Sequence, residues 1–331
     1  DAFESDRNFW HGYLEKLPAP ARFGDGTRSF SRLPIRSSRR MEKPALEGIA
    51  ELARACETSL APTLIAAVAA YLFRTTGVRE LSIGLPVSGR SAETRAIPCM
   101  MSNTLPMHLS IAPEMTMRDI VGIVDKEIRT VLAHQRYPAS RLYLDAKRIR
   151  GYGSDFGPVI NVMPFKEGIS FGGLSSKSFN TSARTAADIS FSFFIGEDSS
   201  ADVYCTANAS AYSLADVQAH QERLLRFIDS SLAQPAIPVA ALDILSTEER
   251  QRVLTDWNGT APGPFPDTLA DLFEGQVAAT PHARAISFEA IDLSYQELNQ
   301  QANQLARYLS TRGIGPDSIV ALALPRSPEL V

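Results

Sequence analysis

Cysteine is scarce. The three residues Cys56, Cys99 and Cys205 lie far apart in 331 positions and form no C-x-x-C pair. An odd, scattered set supports neither a disulfide framework nor a zinc site, and it fits a reducing, cytoplasmic compartment. The five histidines (His11, His108, His134, His220, His282) never stand at metal-ligand spacing. Charge of one sign is also lacking: 33 basic against 37 acidic side chains leave a formal charge of −4. That balance excludes the clustered basic footprint of a nucleic-acid binder. No hydrophobic run is long enough to span a bilayer, the nearest being Leu60 to Phe73, interrupted by Pro62 and Thr63. A glycine-rich phosphate loop, H-E-x-x-H and G-x-S-x-G are all missing. Three Asn-x-Ser/Thr triplets, at Asn180, Asn208 and Asn258, read as chance matches in a chain without secretion features.

What is present is an ordinary globular balance, 44% hydrophobic and 21% charged, with material for a core and a length of about two domains. The chain opens on Asp1-Ala2-Phe3, with no initiator Met, basic n-region or apolar h-region, so no targeting peptide is expected. It closes just after Ile319 to Leu324, an apolar stretch that calls for sheet neighbours, and is expected to be a piece of something longer.

Helical spacing of Phe9, Trp10, Tyr13, Leu14 and Leu17 predicts an opening helix. A second helix starts at Pro44, with Leu46, Ile49, Leu52, Ala53 and Cys56 inward, and a third runs from about Pro62 to a stop at Gly77. Glu80 to Val87 reads as a buried strand, and Leu105, Met107, Leu109 and Ile111 alternate as a half-buried one. Thr116 caps a long helix that runs out near His134 and Pro138. Val159 to Met163, Ile189 to Ile195 and Val203 to Ala209 predict further strands, the last two antiparallel neighbours, before a helix from Leu214 to about Leu232. His220 falls on the polar side of that helix and reads as solvated.

Prolines 235, 238, 262, 264 and 266 punctuate the boundary from Gln234 to Pro266, where the linker 236–266 holds one short helix with a Ser246/Glu249 capping box and Val253, Leu254 and Trp257 as its anchor. Beyond it, Thr268 caps a helix, Ala285 to Phe288 is a strand, Ala290 to Asp292 a turn, and Ser294 with Glu297 opens another helix ending at Gly313. A last strand is expected over Ser318 to Leu324. The fold class is α/β, in three parts: residues 1–235, the linker 236–266, and the start of an α/β domain over 267–331.

Residue chemistry alone goes no further than this. Two runs do. Leu293-Ser294-Tyr295-Gln296-Glu297-Leu298, followed by Asn299, Ala302-Asn303 and Leu305-Ala306, resembles the first core motif of adenylation domains in nonribosomal peptide synthetases. Trp257-Asn258-Gly259-Thr260, Leu272-Phe273-Glu274, Thr280-Pro281 and Gly313-Ile314-Gly315-Pro316-Asp317 extend that resemblance in order and spacing. Upstream, residues 1–235 resemble the C-terminal lobe of the condensation domain that precedes such a domain. Phe9-Trp10, Ser88-Gly89-Arg90, Asn103-Thr104-Leu105-Pro106, His134-Gln135-Arg136-Tyr137-Pro138 and Asn161-Val162-Met163-Pro164-Phe165 carry the likeness. Arg136 departs from it, standing where the family often has an acidic residue, and the family's Arg/Asn-rich motif is degenerate around Arg150 to Gly157. The Asn161 strand is similar to condensation domains that accept an aryl or acyl starter, as in siderophore assembly.

The resemblance implies a CoA-dependent-acyltransferase-like lobe whose parent joins carrier-bound acyl and aminoacyl thioesters through an amide and activates an amino acid with ATP and Mg. It implies phosphopantetheinylated carrier domains and the rest of the same synthetase as partners, and neither nucleic acid nor membrane. The family's catalytic H-H-x-x-x-D-G motif has no counterpart in this chain, so no catalytic residue is expected in it, nor a bound cofactor or metal, and the 331 residues alone are expected to be inactive. Gly84, Gly89, Arg90, Asn103 and Thr104 are the candidates for the floor of the reaction tunnel. Other readings stay open: Asn103 as the start of a strand, Gly89-Arg90 as a tight turn or an inter-lobe salt bridge, His134-Gln135 as a helix-end cap rather than a catalytic pair. For the whole chain, a non-catalytic docking platform or a free-standing acyltransferase of the same fold are the alternatives.

Overall fold

The apolar stripe near the amino terminus builds α1 (Ala2–Lys16), which buries Trp10 and Leu14 completely. A computed structural model describes residues 2–23, 34–90, 93–94, 96–151, 155–163, 170–171, 174–175, 188–196, 198–258 and 268–331. It divides into two compact units, Asp1–Gln251 and Arg252–Val331.

In the first unit β1 (Pro34–Met41) leads into α2 (Lys43–Ala55) and α3 (Leu60–Thr76). Pro44 sits in the first turn of α2, where its missing N–H costs nothing, and Gly77 ends α3 in the left-handed conformation with φ +70. Every residue of α3 from Pro62 to Phe73 is buried, so this helix is apolar all round because it is enclosed all round. It packs on α2, on α4 (Met117–Leu132) and on α6 (Leu214–Ala233). Among the described residues no single helix is long and apolar enough to cross a membrane; α2 and α3 together have the composition but meet at 105°.

The remaining elements are β2 (Glu80–Val87), β3 (Asn103–Ser110), α5 (Ala139–Arg150), β4 (Val159–Met163), the two-residue strands β5 (Ser170–Phe171) and β6 (Leu174–Ser175), β7 (Ile189–Ile195) and β8 (Ala201–Asn208). Six strands form one mixed sheet in the order β1-β8-β7-β4-β2-β3. β4 runs parallel to β2 and β7, and the other pairings are antiparallel. Both sheet edges are protected. Along β3 the His108 amide donates to Tyr13 Oη of α1 at 2.7 Å, and β1 carries Arg36, Arg39 and Arg40. Tyr13 in turn donates to Glu127, and burial followed by that carboxylate holds its hydroxyl well above the ordinary tyrosine range.

β1 and α5 have no counterpart in the sequence reading. Nor is His220 solvated. It lies on the α6 stripe with buried Val217 and Leu224, its Nδ1 2.9 Å from Tyr71 Oη and its ring 4.2 Å from that of Phe23. Burial, reinforced by Arg223 and opposed by Asp216, lowers its pKa to about 4. The unfolded chain therefore binds a proton near pH 6.5 that the folded chain refuses until about pH 4. Stability contributed by neutral His220 is complete above pH 6.5 and is lost as the pH falls towards 4. Urea titrations at pH 4.5 and 7.5 are expected to show this fall, and His220→Gln to flatten it; an unchanged difference in the variant excludes His220 as its source.

After α6 a 3₁₀ turn (Val239–Ala241) and α7 (Thr247–Gln251) lie on the first unit, with Val239 and Leu242 buried in its core. Glu249 receives the Ser246 amide at 2.8 Å and bonds Arg223 and Arg226 of α6, so the expected capping box also latches α7 down. The expected anchor residues are not the ones buried: Val253, Leu254 and Trp257 are exposed, Trp257 by 71%.

The second unit holds α8 (Leu269–Ala279), the hairpin β9 (Arg284–Phe288) and β10 (Ile291–Ser294), and α9 (Tyr295–Thr311). Thr268 with Asp271 and Ser294 with Glu297 form complete capping boxes. The stretch read as a turn after β9 is mostly strand β10, with the reversal made at Glu289 (φ 52). The strand expected over Ser318 to Leu324 does not form: no described strand pairs with it, and Ile319 is 97% exposed. An apolar run supplies surface to bury, not a ladder's hydrogen bonds.

Candidate functional site

β2 and β3 form a hairpin whose long connection, residues 88–102, returns close to its own start. Gly89 makes this return possible. Its φ is +63, and a Cβ there would stand 2.1 Å from the Met101 carbonyl oxygen, so only glycine lets the two ends of the loop meet. Arg90 then holds the loop from inside: its guanidinium donates to the carbonyls of Thr94 (2.9 Å), Ile97 (2.7 Å) and Cys99 (2.5 Å). Arg90 is thus the organiser of this loop; it makes no ion pair among the described residues. Gly84 lies in mid-β2, where a Cβ would meet Val159 Cγ2 at 3.1 Å and Thr104 Cγ2 at 3.4 Å. Thr104 is half-buried, opposite Pro86 in the ladder.

Asn103 begins β3 and is 92% buried, being 8% exposed. Its Nδ2 donates to the carbonyls of Gln135 (3.0 Å) and Tyr137 (2.7 Å), and its Oδ1 accepts the Thr104 amide at 3.0 Å. Two carbonyls on one side and an amide on the other fix the orientation of the carboxamide. One side chain therefore ties the floor loop to the 134–137 turn. That turn is held from its other side by α1. Trp10 Nε1 donates to the His134 carbonyl at 3.0 Å, and His134 Nδ1 is 2.7 Å from Asp6, its ring stacked on Phe9. His134 follows the last turn of α4, where its amide donates to the Val131 carbonyl at 3.1 Å, and its side chain docks α1. Tyr137 donates to Asp145 of α5, and burial with that carboxylate pushes its pKa to about 12.

Between the loop, the start of β3 and the 134–139 segment lies a cavity of about 410 Å³, with Gly89, Asn103, Met101, Ser102, Arg136 and Ala139 on its walls. Of the five candidates, Gly89 and Asn103 line it. Arg90 shapes it through the loop, while Gly84 and Thr104 sit in the strands behind. The 134–139 wall was not among the candidates, although its motif was visible: what joins it to the loop is Asn103, across more than 30 residues. Among the described residues no group of three or more His, Cys, Asp or Glu side chains is placed to hold a metal ion.

The sequence and the fold match known proteins. The family model described as "Condensation domain" matches residues 1–254. The chain belongs to the condensation-domain family. Following the condensation domain, residues 273–331 match the family model "AMP-binding enzyme". Over 333 residues the chain is 33% identical to a dimodular nonribosomal peptide synthase of Bacillus subtilis (strain 168), covering 100% of this chain and 14% of that protein. It is 28% identical over 334 residues to enterobactin synthase component F of Escherichia coli O157:H7, covering 99% of this chain and 25% of that one. The chain thus spans a quarter or less of these two relatives. Among solved structures, the first condensation domain of the calcium-dependent antibiotic synthetase with a substrate analogue superposes with a TM-score of 0.67 at 30% identity, over 74% of this chain and 54% of that one. The starter condensation domain of rhizomide synthetase, with C8-CoA and Leu-SNAC, gives 0.67 at 29% identity, over 74% and 55%.

Proposed function

We propose that this condensation lobe forms one wall of an amide-forming channel in a nonribosomal peptide synthetase, and is followed by the opening of the domain that activates an amino acid with ATP. The observation that carries the proposal is the cavity built by the Gly89-Arg90 loop and Asn103 against the 134–139 segment. In the reaction an amine attacks a thioester carbonyl; the C–N bond forms, the C–S bond breaks, and the amine proton ends on the departing thiol. Both reactants arrive on phosphopantetheine arms of carrier domains. Aligning them and excluding water is the part this chain contributes, an effect worth up to about 7–11 kcal/mol in well-oriented systems. Gly89 and Asn103 give the wall its shape, with Gly84 and Thr104 supporting it and Arg90 holding the loop. ATP and Mg belong to the downstream activation chemistry; the described residues offer no metal cluster, and no step is drawn through them.

Ser102 is exposed on the cavity wall. In the synthetase module that contains this chain, Ser102→Trp is expected to lower amide formation at least tenfold while amino-acid-dependent ATP–pyrophosphate exchange is retained. Unchanged amide formation with indole filling the cavity overturns the proposal.

A further inference from the structure

Two arginines frame the cavity, and they are used differently. Arg90 turns its guanidinium into the loop, onto the carbonyls of Thr94, Ile97 and Cys99. Arg136 lines the cavity itself, and its side chain makes no ion pair or hydrogen bond to a described residue. Its backbone, by contrast, is pinned. Asn103 Nδ2 holds the carbonyl on either side of it, Gln135 at 3.0 Å and Tyr137 at 2.7 Å, and Trp10 Nε1 holds that of His134 at 3.0 Å. A cation rooted in a fixed turn has less freedom to lose when it takes a ligand.

Two further donors share this wall. The Gln135 carbonyl is taken by Asn103, but its side-chain carboxamide bonds no described residue, and the Ser102 hydroxyl is equally uncommitted. Met101 and Ala139 add apolar surface. A few free polar groups in a cavity of about 410 Å³ are the usual make-up of a small-ligand site. The one acid on the described wall, Glu93, belongs to the loop and forms no ion pair with Arg136, so the cation is not neutralised from within. Glu93 instead turns an anion away from the loop and towards Arg136.

We infer that Arg136, with Gln135 and Ser102, makes this cavity a carboxylate site, and that a reactant of the lobe carries a free carboxylate, as an acidic aminoacyl or a dicarboxylic acyl group does. The inference rests on the amide-forming reading above and names the substrate class of that same cavity. A guanidinium offers parallel N–H donors that match the two oxygens of a carboxylate, and a carboxamide N–H and a hydroxyl supply donors for their remaining lone pairs. A neutral amide of the same shape leaves the guanidinium unmatched, so the site selects by what it rejects as well as by what it holds. Arg136 acts in choosing the reactant and takes no part in making the bond.

The test uses the synthetase module that contains this chain and thioesters of N-acetylcysteamine, which carry no phosphate. Glutamyl is compared with glutaminyl as the amine partner, and glutaryl with its monoamide as the acyl partner, the second reactant being the module's own. In the wild type the acid of at least one pair is expected to exceed its amide in kcat/KM by about tenfold or more, chiefly through KM, the scale of a hydrogen bond to a charged group. Arg136→Gln is expected to lower the acid's kcat/KM by about the same factor and the amide's far less, a selective loss that a folding defect does not produce. Arg136→Lys is expected to keep part of the preference. Equal use of acid and amide by the wild type in both pairs overturns the carboxylate site and leaves the amide-forming reading standing. A loss in Arg136→Gln that is equal for acid and amide and is seen only on phosphopantetheine arms also overturns it, because the cation then serves the arm's phosphate. If no thioester yields an amide, the amide-forming reading falls and titration of the glutaryl and glutamyl thioesters decides the site. Weaker binding of either to Arg136→Gln than to the wild type upholds it, and equal binding of both overturns it.

Discussion

Asn103→Asp is expected to destabilise the first unit by about 4 kcal/mol or more at pH 8, and by less at pH 4. The carboxamide nitrogen donates to two carbonyls, and an aspartate puts acceptor oxygens in its place. Both carbonyls lose their donor, at about 1–3 kcal/mol for each polar group left unsatisfied, and an ionised carboxylate would face them without a compensating cation. The buried acid escapes by holding its proton, so its folded pKa rises above the unfolded value near 3.9. The sign follows: above pH 3.9 the unfolded state binds fewer protons than the folded state, and stability drops as the pH climbs towards the raised pKa. Asn103→Ala loses the same bonds without adding charge, and is expected to cost about 2–3 kcal/mol with little dependence on pH. Urea denaturation at the two pH values separates the variants. Equal midpoints for Asn103→Ala and wild type would show that the 134–137 turn holds its place without this side chain.

The second large effect is expected at Gly157. Its φ is +91, and a Cβ there would lie 2.4 Å from the Ser82 carbonyl oxygen and 3.2 Å from Pro20 Cβ. Ser82 cannot yield easily, because it is fully buried in β2 between two neighbouring strands and its own hydroxyl donates to the Phe156 carbonyl. Gly157→Ala therefore combines a left-handed backbone penalty of about 1–2 kcal/mol with a clash against a strand, and is expected to cost about 3 kcal/mol or more in all. Gly151 supplies the control. It is also left-handed, at φ +68, but has nothing within 4 Å of its Cβ position, so Gly151→Ala should show the backbone penalty alone. A shift of similar size in both urea midpoints would mean that β2 accommodates the methyl group.

Local chemistry was legible in the sequence wherever it was sufficient to make the element. The boxes Ser246/Glu249 and Ser294/Glu297, the glycine stop after α3 and the alternation of β7 all act within a few residues. β1 escaped because Pro-Ile-Arg-Ser-Ser-Arg-Arg-Met has no two-residue apolar period; its strand form comes from eight residues of pairing with β8. α5 escaped because it fully buries only Leu142 and Ala146, while Leu144 faces outward and blurs the apolar stripe. The stretch after Ser318 shows the converse, a strand-like pattern that pairs with nothing described. At the candidate site the residue types stood out, but their tasks did not. That Arg90 gathers carbonyls and that Asn103 reaches the 134–137 turn are facts of long-range closure, which spacing along the chain does not encode.

The mixed sheet is not uniformly sewn. β2 and β3 share eight paired positions and β4 and β7 share five, but β2 and β4 are joined at one, Gly84 opposite Val159, with the Gly84 amide donating to Pro158. Mechanically the sheet is two stiff plates with a crease between them, and the crease runs through the residue whose missing side chain lets the backbones close. Flexion there breaks neither ladder. Because β3 of the β2–β3 plate begins at Asn103, on the cavity wall, any rotation about the crease would change the gauge of the cavity.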